Sequence, residues 1–146
     1  MDHLAIMKKS WGLTEKILMG QKKIESRWYK AKVAPWDRIK EGEVIYFKNS
    51  GEPVTLKAEV EKVLQFSNLT QDKVKGILTE YGELDGIENN QINDFYHFFK
   101  DKNYCMLIFL TNPQKVKPFN IDKTGFGMMS AWLMVDDIEK IKVSSV

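Results

Sequence analysis

A lysine, a glutamate and an arginine stand close together in a short stretch that reads GQKKIESR. Lys22, Glu25 and Arg27 provide two cations and one anion, which can hold an anionic or polar ligand through charge-assisted hydrogen bonds. Trp28 follows the stretch directly and Trp36 lies beyond the next loop, so flat apolar rings can lie beside the charges. Charged groups next to flat rings favour recognition of a nucleotide, whose base stacks while its polar edges form hydrogen bonds.

The charged residues lie where a short helix gives way to a strand. Apolar residues with helical spacing end at Gly20, a typical left-handed helix stop. Side chains alternate over residues 23–28, which predicts a strand with Glu25 and Arg27 on one face. Lys22 has the opposite parity, so it can join them only from the turn before the strand or from a bulge.

The spacing GxKxxExR resembles a motif of the ASCH domain family, whose members are similar in fold to the RNA-binding PUA domains. A second stretch, GEVIYF at residues 42–47, agrees with the family's turn before a pair of barrel strands. The resemblance implies a PUA-like small β-barrel with a cleft that holds Lys22, Glu25 and Arg27. It implies RNA, a nucleotide or a nucleoside as the ligand, but no particular reaction.

The remaining pattern indicates an α+β, mostly β fold with peripheral helices. A chain of 146 residues, of which 43% are hydrophobic, suits a single domain over residues 1–146. Residues 69–102 form a helical insert, and residues 44–47 and 54–64 pair as a hairpin in which the first strand is buried on both faces. Asn112-Pro113 is expected to end a central strand. The predicted strands are 23–28, 44–47, 54–64, 104–111, 116–119, 131–135 and 138–143, and the predicted helices after the first are 71–81 and 94–99.

The four tryptophans differ in what their neighbours suggest. Trp11 and Trp36 are flanked by polar and basic residues, so they are the candidates for a surface on which a base stacks. The other two lie on apolar faces and are expected to pack in the core. The candidate ligand-binding residues are therefore Lys9, Ser10, Trp11, Lys22, Glu25, Arg27 and Trp36.

The first candidate function is a binding module that carries out no catalysis. Lys22 and Arg27 would contact phosphate or a base edge, and Glu25 would accept hydrogen bonds from a base or orient the lysine. RNA is the favoured polymer, because a compact barrel cleft suits an unstacked base of a loop or a single strand.

The second candidate function is a hydrolase, with Lys22 and Glu25 as the catalytic residues. Some small proteins with this domain resemble amidohydrolases that act on acylated cytidine nucleosides through a lysine, a threonine and a separate glutamate. Lys22 matches the lysine, but Glu25 occupies the position of the threonine, so that hydroxyl nucleophile is missing. A further subset resembles ribonucleases, for which Ser10 or Tyr46 could supply a hydroxyl near Lys22. The acidic residues of the insert that could add a carboxylate are Glu80, Glu88 and Asp94.

A third candidate function is a protein interaction module in the regulation of transcription or translation, since the family also resembles a domain of a transcriptional coactivator. The aromatic run at residues 95–99 could be an exposed docking patch. A helix with so many aromatic residues usually buries one face, which favours packing on the barrel instead.

The net charge of +2 hides an uneven distribution along the chain. Ten basic and four acidic residues precede residue 41, whereas six acidic residues and one lysine lie between residues 80 and 101. The basic part could attract a phosphate backbone, and ordinary solvated surface explains the same asymmetry.

Several classes of function are disfavoured by what the sequence lacks. Cys105 is the single cysteine, and the histidines are His3 and His97, so neither an internal disulfide nor a zinc site is expected. Cys105 lies in an apolar run, which indicates that it packs in the core. The chain has no GxxxxGK[ST] or GxGxxG pattern, which disfavours nucleotide triphosphate hydrolysis, and no cofactor is expected. No apolar run reaches the length of a membrane span and no secretory signal precedes the first helix, so we expect a cytosolic protein.

Overall fold

One curled sheet forms the centre of the structure, a computed structural model that describes residues 1–145. Its strand order is β2-β5-β4-β3-β1-β6, with β7 paired to the far end of β5. The strands are β1 (Asp2–Met7), β2 (Ile24–Tyr29), β3 (Val44–Asn49), β4 (Val54–Phe66), β5 (Tyr104–Ile121), β6 (Trp132–Val135) and β7 (Lys142–Ser145). The helices are α1 (Leu13–Leu18), α2 (Gln71–Tyr81) and α3 (Ile92–Phe99), with short 3₁₀ turns at Lys9–Trp11, Asn89–Gln91 and Ile138–Lys140.

The long pair β4–β5 bends the sheet into a half-barrel. Its antiparallel register shifts at three places along β4, each a bulge or irregularity that increases the local twist. One hydrophobic cluster joins α1 to strands β1, β3, β4, β5 and β6, and a second lies between helices α2 and α3 and strands β2 and β5. The expected α+β, mostly β fold with peripheral helices is thus confirmed.

The expected strand break at Asn112-Pro113 is wrong, because β5 runs through it. Thr111 pairs with Glu59 and Gln114 with Lys57, so two residues of β5 stand opposite one residue of β4. Asn112 takes a left-handed conformation with φ of 52°. A bulge is a place where a sheet tolerates a proline that lacks a donor, so the predicted strand at 116–119 is the distal part of β5.

Two further expectations need correction. In β3 only Ile45 and Phe47 are buried, whereas Val44 and Tyr46 are half-buried, so this strand has one core face rather than two. The segment 138–143 begins as a 3₁₀ turn and becomes a strand only in β7.

Strand β1 is an element that the sequence pattern did not indicate. It lies between β3, to which it runs parallel, and β6, to which it runs antiparallel. Most of its residues are buried on both faces of the sheet, so it lacks the alternation that marks a half-buried strand.

The hairpin and the helical segment agree with their predictions. Strands β3 and β4 pair antiparallel. Helix α2 begins after Thr70, whose hydroxyl accepts a hydrogen bond from the Lys73 amide at 3.2 Å, and ends before Gly82. In α3, Phe95 is buried in the second cluster and Phe99 packs against it, so the aromatic run covers the sheet. None of the helices within residues 1–145 is both long and apolar enough to cross a bilayer.

A buried histidine joins the first and the last parts of the sheet. The His3 side chain is fully buried, and its Nδ1 accepts a hydrogen bond from Trp132 Nε1 at 3.0 Å. Nε2 must then carry the proton and donate to Glu43 Oε1 at 2.9 Å. Burial lowers the pKa of His3, against the opposing effect of Glu43.

We predict that this histidine makes stability depend on pH. A lowered folded-state pKa means that the unfolded chain binds the proton more readily, so the free energy of unfolding falls as the pH drops below about 6.5. Urea unfolding between neutral and mildly acidic pH should give a smaller pH dependence for His3→Gln than for the wild type. His97→Gln is the matched control, because His97 is exposed. If both variants change the pH dependence of the free energy of unfolding equally, the prediction is wrong.

Candidate functional site

A cavity of about 290 Å³ opens beside β2, which is an edge strand of the sheet. Strand β1, the loop before β6, the turn before α1, helix α3 and the loop after α2 complete its wall. Both polar side chains and aromatic or aliphatic side chains line the cavity. The polar lining residues are Lys8, Lys22, Glu25, Ser26, Arg27, Tyr29 and Asp85, and the aromatic ones besides Tyr29 are Trp11, Trp28, Phe95 and Phe99.

Lys22 is a buried cation that is surrounded by acceptors. Its side chain is 1% exposed, and Nζ donates to the Asp85 carbonyl at 2.8 Å and to Asp85 Oδ1 at 2.5 Å. Glu25 Oε1 lies 3.4 Å from the same Nζ. Lys22 precedes the regular part of β2, in the turn where its amide donates a hydrogen bond to the Lys16 carbonyl. Lys22 thus joins Glu25 and Arg27 from the turn before the strand, which is one of the two positions that the alternation of side chains allowed.

The loop after α2 brings Asp85 to this lysine. The Leu84 carbonyl accepts hydrogen bonds from the amides of Lys23 and Ile24, which fixes the loop to the start of β2. Gly86 has φ of 81°, and a Cβ atom there would lie 3.2 Å from Lys22 Cβ. The glycine therefore permits both the left-handed turn and the close approach.

Asp85 is the second buried ion and also binds a hydroxyl group. Burial raises the pKa of Asp85, while Lys22 and Ser26 act in the opposite direction. Ser26 Oγ donates to Asp85 Oδ2 at 2.6 Å, and Trp28 Nε1 donates to Ser26 Oγ at 3.2 Å. One carboxylate thereby orders the lysine, the serine and, through the serine, an indole ring.

Arg27 extends the array to the opposite edge of the half-barrel. Its Nη2 lies 3.1 Å from Glu25 Oε2, and its guanidinium also donates to the carbonyls of Ile6 and Ala131 at 3.4 Å. The guanidinium stands over the Trp132 ring at 5.1 Å. Because β2 and β6 are the two ends of the strand order, Arg27 bridges a gap that no β-ladder closes in the described sheet.

The four charged groups alternate in sign along the array. Asp85, Lys22, Glu25 and Arg27 follow one another through contacts of 2.5, 3.4 and 3.1 Å. Formally, the two cations and two anions balance. One donor, Arg27 Nε, is buried and has no acceptor in the described part of the chain. A ligand there meets both donors and acceptors rather than an excess of positive charge.

Comparison with solved structures identifies this arrangement of strands and helices. No protein-family model matches the chain, and no curated protein sequence matches it significantly. The crystal structure of ASCH from Zymomonas mobilis superposes with a TM-score of 0.66 at 16% identity, covering 95% of this chain and 90% of that one. The chain has the fold of an ASCH domain. Two mutant forms of the Zymomonas protein give TM-scores of 0.66 and 0.67.

The N-terminal domain of McrB from Staphylothermus marinus is a further structural neighbour. It matches at 14% identity with a TM-score of 0.50, covering 82% of this chain and 76% of that domain. At such identities the likeness concerns the fold. The family resemblance implied a small β-barrel, and the solved structures confirm the ASCH fold, whose described strands here form a curled half-barrel with β2 and β6 at its two ends.

Within the ASCH fold, both faces of β2 contribute to the cavity. The alternation predicted that Glu25 and Arg27 would face away from Ser26 and Trp28, yet all four line it. An edge strand has no neighbour on one side, so side chains from either face can reach around that edge. Trp28 is buried as expected, with 7% exposure, but its indole also forms part of the wall.

Several candidate residues lie away from the cavity. Lys9 is 67% exposed and pairs with Glu52 at 3.1 Å, Ser10 is exposed, and Trp36 packs edge-on against Tyr104 at 5.1 Å. Trp11 does line the cavity, and Lys8 rather than Lys9 accompanies it. The other suggested sources of hydroxyl or carboxylate groups also lie outside the lining residues, namely Tyr46, Glu80, Glu88 and Asp94.

Asp85 is the residue that sequence reasoning missed. The available signal was an aspartate directly between a leucine and a glycine, in a loop that otherwise reads as polar. Two further titratable groups are shifted nearby in the sheet. Burial raises the pKa of Tyr29, a half-buried lining residue, to about 12, and it also raises the pKa of the Cys105 thiol, which lies outside the lining residues. Among residues 1–145 there is no group of three or more His, Cys, Asp or Glu side chains that could hold a metal ion.

We predict that the contact between Lys22 and Asp85 is essential for stability. Asp85→Ala leaves a buried ammonium with one carboxylate fewer, so the free energy of unfolding should fall by about 3 kcal/mol. Asp85→Asn keeps a carbonyl acceptor and should lose less. Glu83→Ala, an exposed acidic residue of the same loop, is the control for urea unfolding. Equal stability of Asp85→Ala and Glu83→Ala would refute the role of the buried pair.

Proposed function

We propose that this protein binds one unstacked nucleobase, carried by RNA, a nucleotide or a nucleoside, in the cavity lined by Lys22, Glu25 and Arg27. The observation that carries the proposal is the meeting of aromatic walls and a charge-balanced polar array in one cavity. A nucleobase has the matching properties, since it is flat, mostly uncharged and bears donors and acceptors along its edge.

The size of the cavity supports a ligand of this kind. Its volume of about 290 Å³ is close to the lower limit of the range of ligand pockets, roughly 300 to 1,000 Å³. One base or nucleoside fits such a space. The cavity suits a base from a loop or single strand rather than from a duplex, and the RNA-binding PUA domains that the ASCH family resembles favour RNA as the polymer.

The polar array supports distinct roles for its members. Lys22 already has three acceptors, so it orients the carboxylates of Asp85 and Glu25 instead of gripping a phosphate. Glu25 would accept hydrogen bonds from an amino or imino group of the base. Arg27, whose side chain is 14% exposed, would donate from the accessible part of its guanidinium to a ring nitrogen or carbonyl.

The aromatic walls support stacking by a preorganised surface. Trp28 and Phe99 stack with their ring centroids 4.7 Å apart and their planes 5° apart. Trp11 meets Phe95 edge-on at 5.1 Å. Rings held by their neighbours lose little freedom when a base arrives, so more of the stacking energy goes into affinity. An RNA ligand also agrees with the cytosolic location that we expect from the sequence.

We predict that filling the cavity abolishes binding without disturbing the charges. Ala131 lines the cavity and is exposed, so the ring of Ala131→Phe should occupy the ligand's space and weaken binding at least about tenfold. Calorimetric titration with the four ribonucleosides and with a mixed-sequence single-stranded RNA would measure the loss.

The matched control is Ala31→Phe, which adds the same ring at an exposed alanine outside the cavity. This variant should bind as the wild type does. If neither the nucleosides nor the RNA bind the wild-type protein, or if Ala131→Phe binds them unchanged, the proposed function is wrong.

A nucleoside-directed hydrolase is the second candidate, and one contact favours it. Ser26 Oγ donates to Asp85 Oδ2 at 2.6 Å beside the Lys22 ammonium, inside the same cavity. Ser26 would supply the hydroxyl nucleophile that is absent at position 25, where the chain has Glu25. Ser26 Oγ would attack an acyl carbonyl carbon while Asp85 takes its proton, the amine would leave with a proton, and water would hydrolyse the ester.

We predict that any such turnover requires Ser26. The wild type would release cytidine from N-acylated cytidine, and Ser26→Ala should reduce kcat by at least about a hundredfold while KM changes little. Chromatography of the products measures this. Absence of turnover in the wild type, or full activity of Ser26→Ala, would eliminate this candidate and leave the binding proposal in place.

A further inference from the structure

An aromatic ring stands outside the cavity, next to one of the rings that line it. Phe98 is 57% exposed although its helix neighbour Phe95 is buried. Its ring lies 6.0 Å from that of Trp11 at an angle of 51°. Because Trp11 also lines the cavity, aromatic surface continues from the inside of the cavity to the rim.

A lysine accompanies this outer surface. Lys8 Nζ lies 5.2 Å from the centroid of the Trp11 ring, and Lys8 is an exposed residue of the cavity lining. Lys9 points its charge elsewhere, since it pairs with Glu52. Asp94 precedes Phe98 by one turn of α3, so an anion at the rim is attracted to the side of Lys8 rather than to the helix.

We propose that Lys8, Trp11 and Phe98 form a rim platform for the nucleotide adjacent to the base in the cavity. The preferred ligand is then a single-stranded RNA segment and not a free nucleoside. This inference rests on the proposed binding of a base in the cavity and specifies which class of molecule carries that base.

The chemistry of the rim platform matches a nucleotide better than an apolar peptide segment. A base can stack on Phe98 whatever its identity, because every base has a flat π-face. The phosphate that links this base to the one in the cavity lies between them, where Lys8 can neutralise it. A neutral apolar segment would gain nothing from a lysine above the tryptophan ring.

Binding of chains of different length tests the inference. Homopolymeric RNA hexamers and the corresponding nucleosides are titrated into the wild-type protein. We expect at least one hexamer to bind about tenfold more tightly than its nucleoside, which is the gain from stacking on one aromatic side chain. Phe98→Ala should remove this gain and leave nucleoside affinity unchanged, and Phe98→Tyr should keep it.

The salt dependence tests the role of the lysine. Lys8→Gln should reduce the slope of log K against log salt concentration by about 0.7 for the hexamer, the value for one phosphate contact on a single strand. Lys9→Gln is the matched control and should leave the slope unchanged.

Two results would overturn the rim platform while leaving the base-binding cavity intact. The first is a hexamer that binds no more tightly than its nucleoside. The second is a hexamer whose affinity is the same for Phe98→Ala and the wild type. If wild type binds neither hexamer nor nucleoside, the proposed function fails and the inference fails with it.

Discussion

The buried ammonium group of Lys22 is the constraint on which the site and much of its surroundings depend. A cation with 1% exposure is compatible with a folded chain only if anions and carbonyl groups replace its lost water. Asp85 and Glu25 supply them, one from the loop after α2 and the other from β2. Satisfying one charge thus fixes the helical segment against the sheet and orients the carboxylate that holds Arg27.

The cavity itself follows from an incomplete barrel. The strand order begins with β2 and ends with β6, and the guanidinium of Arg27 spans the space between them through two carbonyls and the face of Trp132. Side chains, rather than a backbone ladder, thus form the wall on that side. A wall of this kind leaves room for a ligand and brings both faces of an edge strand into contact with it.

Patterns that act over short distances could be predicted from the sequence, and contacts between distant segments could not. The motif residues Lys22, Glu25 and Arg27, the β3–β4 hairpin and helix α2 with its Thr70 cap all depend on local spacing. Asp85 meets Lys22 across 63 residues, and its position depends on a loop whose sequence shows no periodicity. The bulge at Asn112 and Pro113 was misread for a related reason, since the pairing with β4, not the local sequence, decides that the strand continues.

The buried thiol of Cys105 lies next to the cavity wall, because Cys105 pairs in the sheet with Trp28. The residue is fully buried in β5, between Trp28 of β2 and Phe66 of β4 in the hydrogen-bonded register. Alkylating reagents attack thiolates, and burial keeps this sulfur both covered and protonated. Since the chain has one cysteine, the rate of its alkylation reports how often the neighbouring strands separate, without any engineered label.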